Sequence, residues 1–127
     1  MSDAAEFVAW VEADADDPEL VDDIRYRSFL ERREFAVVSL SGGKNALLAG
    51  GTFAITLRLD DGGRPIVETP NGGERIVRLL WHTHPKPTGP SDADREFLRL
   101  LDQKESLIHE VNGPKGGIVF GPNKPGA

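Results

Sequence analysis

The sequence contains no cysteine. This absence excludes disulfide bonds and thiolate metal sites, so any metal ion would be held by nitrogen and oxygen ligands. Nucleobase deaminases bind their zinc through cysteine, and the sequence lacks the ligands for that chemistry as well.

Positive charge is also scarce, with 15 Lys and Arg residues against 21 Asp and Glu residues and a net charge of -6. The one basic cluster, which includes Arg25, Arg27, Arg32 and Arg33, is flanked by acids and is typical of a solvated helix face. Nucleic-acid binders usually carry a basic stripe, and this chain has none. We therefore expect no nucleic-acid partner.

Long apolar stretches are missing too. No apolar run in the sequence approaches the ~20 residues that a membrane-spanning helix needs. The acidic start MSDAAEF lacks the layout of a signal peptide. We expect a cytoplasmic protein with no membrane partner.

The 127 residues suit one domain, and the apolar pattern places helices among strands. It predicts helices in AAEFVAWVEADA, in DDPELVDDIRYRSFLERR with Asp17 as N-cap and Pro18 at the first helical position, and in SDADREFLRLLDQ. It predicts strands in EFAVVSL, TFAITLRLD, RPIVET, ERIVRLLWHTH, ESLIHEV and GGIVFG, and it leaves NALLAGG ambiguous. The predicted fold class is α/β, a mixed sheet flanked by helices.

The segment ERIVRLLWHTH carries apolar residues on both faces of a strand. Strict alternation would put Ile76, Leu80, His82 and His84 on one face and Val77, Leu79, Trp81 and Thr83 on the other. Apolar residues on both faces predict an inner strand that is covered on both sides.

The stretch WHTHPKPTGPSDAD begins in that strand and continues beyond it. His82 and His84 would point the same way, with Cα atoms about 6–7 Å apart. The proline-rich loop is stiff, and it leads to the first turn of a helix that carries Asp94. Two histidines and an aspartate leave a fourth tetrahedral position open, as catalytic zinc sites do. The alternative is two strand histidines followed by a capping box, with Ser91 as N-cap and Asp94 at N3.

The segment HTHPKPTGPSDAD resembles the signature of the JAMM (JAB or MPN-plus) zinc metalloproteases, His-x-His-Pro, a loop, then Ser-x-x-Asp. The resemblance implies one JAB/MPN-like domain over residues 1–127 with a cytidine-deaminase-like fold. It implies Zn²⁺ bound by His82, His84 and Asp94, with Ser91 contacting the oxygen of the reacting group. The loop between His84 and Ser91 is one residue shorter than the family's usual loop.

The family also uses a glutamate on an early strand as general acid/base. Glu34 directly precedes the apolar strand EFAVVSL, and Glu31 is its competitor one helical turn earlier. We favour Glu34, because a buried charge at a strand start needs a partner such as a water on the metal. The third histidine, His109, is interpreted as a structural or surface residue.

The resemblance implies a hydrolase that cleaves peptide or isopeptide bonds in a protein or peptide substrate, including a ubiquitin-like protein. Two alternatives stay open. One is a catalytically inactive MPN-type binding module. The other is an amidohydrolase associated with a bacterial polymorphic toxin, in which case the domain would be delivered rather than cytoplasmic.

Overall fold

A computed structural model describes residues 3–85, 92–103, 107–110 and 117–119. The helices are α1 (Pro18–Glu31) and α2 (Asp92–Leu100). The strands are β1 (Glu6–Val11), β2 (Phe35–Leu40), β3 (Asn45–Ala49), β4 (Arg58–Leu59), β5 (Pro65–Thr69), β6 (Gly72–His84), β7 (Leu107–Glu110) and β8 (Gly117–Val119). Neither helix in these ranges is long and apolar enough to cross a membrane.

The strands form one curled, mostly antiparallel sheet in the order β1-β3-β2-β6-β5-β4. β7 adds to β6 in the parallel direction, and β8 pairs antiparallel with β7. The predicted mixed sheet with helices on its faces is therefore confirmed, with more sheet than helix. The long strand β6 pairs with β2, β5 and β7, so it is the inner strand that its apolar pattern predicts.

Local signals set the start of α1 as predicted. The Asp17 carboxylate accepts a hydrogen bond from the Leu20 N–H at 3.2 Å, and Pro18 occupies the first turn, where a missing N–H costs nothing. The helix ends at Arg32, which adopts a left-handed conformation with φ 53°. Val21 and Ile24 point inward and pack against one face of the sheet.

The predicted helix in AAEFVAWVEADA is wrong, because this segment forms β1. A bulge between Phe7 and Ala9 pairs Phe7 with Leu48 and Trp10 with Ala46. It therefore places two residues that are three apart on the same face of a strand. Their rings meet edge-on at 4.8 Å. A bulged strand thus mimics the apolar spacing of a helix.

The predicted strand TFAITLRLD is largely absent, since only Arg58–Leu59 pairs as a strand. Upstream, the Gly51 N–H donates to the Ala54 carbonyl at 2.8 Å, so the chain turns there instead of extending. Ile55 is buried as expected, whereas Phe53 is 60% exposed. The ambiguous NALLAGG forms β3, between β1 and β2.

Two bulges in β6 correct the predicted face assignment. Leu40 pairs with Ile76, Val38 with Leu79 and Ala36 with His82, because the register shifts twice between these pairs. Ile76, Leu79 and His82 consequently follow one face at a spacing of three. Leu79 was predicted on the face of Trp81 and is found in the core cluster of Ile76 instead.

The core has two layers, one on each face of the sheet. The α1-side core combines helix residues with one face of the sheet, and its buried members are Val21, Ile24, Phe35, Val37, Leu47, Ala49 and Trp81. The α2-side core includes Phe97 of α2, and its sheet members include Ala36, Val38, Leu48 and Leu79. The predicted cover on both faces of β6 is confirmed.

Candidate metal centre

The two histidines lie at the end of β6, beyond its bulges, where the period of two holds. His82 is 3% exposed and His84 is 2% exposed. Their Nε2 atoms approach to 3.0 Å, so both rings point to the same side of the strand, as predicted. β2 flanks this segment on one edge and β7 on the other. His82 is therefore held by backbone pairing on both sides, and His84 by pairing with β7.

Glu34 reaches the same place from the neighbouring strand. It directly precedes β2, and alternation puts it on the face of Ala36, which pairs with His82. Its N–H donates to the Gly51 carbonyl at 2.8 Å, and its carbonyl accepts from the Gly50 N–H at 2.9 Å. These bonds continue the pairing of β2 with β3. Glu34 is 3% exposed.

Glu34, His82 and His84 can each offer one ligand atom, and these atoms all lie within 4.8 Å of one another. A tetrahedral zinc ion with Zn–N bonds of about 2.0–2.1 Å separates two nitrogen ligands by about 3.3 Å. The observed 3.0 Å between the Nε2 atoms is close to that spacing. This buried group could hold a metal ion. Its nitrogen and oxygen donors suit several divalent metals.

The structure separates the two candidate glutamates. Glu31 is the last residue of α1, and its carboxylate pairs with Arg27 of the same helix at 2.9 Å. Its side chain is 37% exposed. Glu34 alone of the two joins the histidines, as favoured from the sequence.

The remaining predicted site residues lie at or beyond the edge of the described chain. Ser91 falls outside the described residues. Asp94 lies in the first turn of α2, three residues before the buried Phe97, and its side chain is outside the described part. His109 lies on β7 in register with Thr83, between the two histidines of β6.

Two polar side chains that bond to or lie on β6 were given no role from the sequence. Thr83 Oγ1 accepts a hydrogen bond from the Phe35 N–H at 2.9 Å and donates one to Ser28 Oγ at 2.8 Å. Gln103, just after α2, accepts from the Leu79 N–H at 3.0 Å and donates to the Leu79 carbonyl at 2.7 Å. The strand period predicts that Thr83 faces away from the two histidines. Its hydrogen-bond partners, Phe35 and Ser28, could not be predicted because they lie far away in sequence.

Comparison of the chain with protein-family models, with curated proteins and with solved structures finds no match. The functional assignment therefore depends on the geometry of the centre and on the motif.

Proposed function

We propose that this protein is a zinc-dependent hydrolase of the JAMM type, with a JAB/MPN fold, that cleaves peptide or isopeptide bonds. The observation that carries the proposal is the convergence of Glu34 with His82 and His84 at the ends of two adjacent strands. The segment HTHPKPTGPSDAD, which starts in that strand and ends in α2, supplies the rest of the motif.

Glu34 has two possible places in such a centre. It would be either a third ligand or the base that hydrogen-bonds a water, with Asp94 as the third ligand. We propose the second arrangement. It is supported by the position of Asp94 in the first turn of α2, because Phe97 one turn later packs in the same core cluster as Ala36, the partner of His82.

Zinc, when bound, supplies a Lewis acid that polarises a scissile carbonyl and lowers the pKa of a water towards about 7. The Glu34 carboxylate accepts a proton from the attacking water and returns it to the leaving nitrogen. Ser91 donates a hydrogen bond to the developing oxyanion, a contribution of roughly 3 kcal/mol in hydrolases. His82 and His84 serve as neutral nitrogen ligands on a rigid inner strand.

A groove beside α2 is consistent with an extended peptide substrate. It has a volume of about 190 Å³, and it lies between the segment from Ile55 to Leu59 and the helix residues Ala93, Phe97 and Leu100. This is smaller than the roughly 300–1,000 Å³ of typical small-molecule pockets. The groove would accept one or two side chains of a peptide. The tail of a ubiquitin-like protein is one such peptide.

The test is cleavage by zinc-loaded protein on a panel of fluorogenic peptides and ubiquitin-type isopeptide substrates. Chelator-treated protein and Glu34→Gln serve as controls. We expect cleavage that requires zinc, stops in both controls and returns when zinc is added back to the chelated wild type. Zinc binding without cleavage of any substrate would support a binding module instead. Cleavage that survives both controls would exclude the proposed centre.

A further inference from the structure

A chain of buried hydrogen bonds connects the two residues that flank Glu34, on the side of the sheet away from the metal centre. The Phe35 N–H donates to Thr83 Oγ1, and the Thr83 hydroxyl donates to Ser28 Oγ on α1. The Ser28 hydroxyl in turn donates to the Arg33 carbonyl through a short contact of 2.5 Å. Ser28 and Thr83 are both 0% exposed. Each hydroxyl in this chain therefore accepts one hydrogen bond and donates another.

The two ends of the chain are the peptide groups on either side of Glu34. The Phe35 N–H belongs to the peptide bond after Glu34, and the Arg33 carbonyl belongs to the one before it. The N–H and carbonyl of Glu34 itself are bound by Gly51 and Gly50. Both flanking peptide groups are therefore held from two directions, by the two glycines that follow β3 and by the hydroxyl chain.

Thr83 is the member of this chain that belongs to the histidine strand. It lies between His82 and His84, and alternation turns its side chain to the α1 side, away from the metal centre. The last backbone pair of β2 with β6 is Ala36 with His82. Beyond that pair, the Thr83 hydroxyl accepts a hydrogen bond from the Phe35 N–H and so links the two strands.

We propose that Thr83 is a positioning residue whose hydroxyl fixes the Glu34 backbone relative to the two histidines. The inference rests on the proposed function, because it assigns Thr83 a role only if Glu34 acts at a bound metal. A misplacement of about 1 Å in a reacting group can reduce a rate about 10²-fold, so a small shift of Glu34 would matter. Thr83→Val keeps the shape of the side chain but removes both hydrogen bonds, whereas Thr83→Ser keeps the hydroxyl.

The test is a double-mutant cycle on zinc affinity, read by competition with a chromophoric chelator and therefore independent of substrate. We expect Glu34→Gln to raise the zinc Kd about tenfold or more, the usual effect of removing a group that hydrogen-bonds in the outer shell. Thr83→Val should raise Kd by a comparable factor, and Thr83→Ser should stay within about twofold of wild type. In the Glu34→Gln background, Thr83→Val should add nothing, because residues that act through one another are not additive.

A matched control is available in the β5–β6 hairpin. The Thr69 hydroxyl accepts from the Asn71 N–H at 3.0 Å and donates to the Gly72 carbonyl at 2.9 Å. Thr69→Val therefore also removes one accepted and one donated hydrogen bond, together with a longer contact from the hydroxyl to Glu74 Oε2 at 3.3 Å, at a place remote from the centre. It should leave the zinc Kd unchanged.

The outcomes separate the inference from the proposed function. A wild-type protein that binds no zinc overturns both. Zinc binding that depends on Glu34 but is unaffected by Thr83→Val overturns the positioning role alone. The same is true if Thr83→Val raises Kd equally in both backgrounds, or if Glu34→Gln leaves Kd unchanged.

A second variant covers the case in which Thr83→Val does not fold. Ser28→Ala removes the link to Arg33 but leaves the bond from Phe35 to Thr83 in place. It should give a smaller rise in Kd that is again absent in the Glu34→Gln background. A rise of equal size in both backgrounds would overturn the inference.

Discussion

The two faces of β6 at its C-terminal end are both polar and both buried, but their chemistry differs. On the α1 side, the Thr83 hydroxyl accepts a hydrogen bond from the Phe35 N–H and donates one to Ser28 Oγ, and all of these groups are neutral. On the α2 side, His82, His84 and Glu34 bring three titratable groups within 4.8 Å of one another. One strand segment thus presents a neutral polar network on one face and a cluster of potential charges on the other.

This difference separates a network that supports the fold from a group suited to a functional site. A satisfied neutral network stabilises a fold, because each buried donor has an acceptor. A buried carboxylate beside two imidazoles is costly to desolvate, and a metal ion compensates that cost through ligand bonds. Under the proposed function, the α2 face carries the chemistry and the α1 face holds the reacting groups in place.

The largest expected effect comes from removing the histidines of the α2 face. His82→Ala combined with His84→Ala should reduce bound zinc from about one ion per chain to none, because the two carboxylates that remain in the proposed centre, Glu34 and Asp94, supply no nitrogen ligand and too few ligands for a tetrahedral zinc site. Elemental analysis of purified protein measures the change. His109→Ala is the control, since it removes the third histidine of the chain. Equal, negligible zinc in all three proteins would leave the capping-box interpretation of SDAD standing.

The next effect concerns proton transfer. Glu34→Gln keeps the size of the side chain, so one zinc per chain should still bind at saturating metal. Turnover should fall by about 10² to 10⁴-fold, since the amide cannot accept the proton of the attacking water. Glu31→Gln breaks only an exposed pair with Arg27 and should change little. A silent Glu34→Gln beside an inactive Glu31→Gln would show that the wrong glutamate was chosen.

In metal-free protein, substitutions on the two faces of β6 should affect the free energy of unfolding differently. In chelator-treated protein, Glu34→Gln should leave the free energy of unfolding unchanged or raise it, because it removes a buried carboxylate. Thr83→Val should lower that free energy by about 1–3 kcal/mol, since the buried Phe35 N–H loses its acceptor. Urea unfolding measures both. Equal destabilisation by the two variants would remove the distinction between the faces.

The parts of the fold that were predicted from sequence are those set by neighbouring residues. Asp17 and Pro18 define the start of α1 through contacts within one turn, and the structure confirms them. The β1 segment was misassigned because its bulge depends on pairing with β3, which is distant in sequence. Leu79 was placed on the wrong face of β6 for the same reason.

The candidate site divides in the same way. The common direction of His82 and His84 follows from the strand period within three residues, and the structure confirms it. Glu34 was selected through its position before an apolar strand, and the structure brings it to the histidines. The link from Thr83 to Ser28 spans 55 residues, and no local pattern predicts such a contact. The roles of Ser91 and Asp94 stay predictions.

The smallest effect we expect tests how the residue that follows α2 is attached to β6. Gln103 binds both the N–H and the carbonyl of Leu79, as a neighbouring strand would. Gln103→Glu keeps the acceptor but places a second carboxylate oxygen against that carbonyl, which favours the protonated acid. The folded-state pKa of the new carboxyl should therefore lie above its unfolded value of about 4.3. Relative to wild type, the variant should match in stability below about pH 4 and lose about 1–2 kcal/mol as the pH rises through the folded pKa. Gln103→Leu is the control, because it loses both bonds and its deficit should not vary with pH. Urea unfolding of the three proteins between pH 4 and pH 7 measures the difference, and a Gln103→Glu deficit that is constant with pH would show that the pairing with Leu79 does not form in solution.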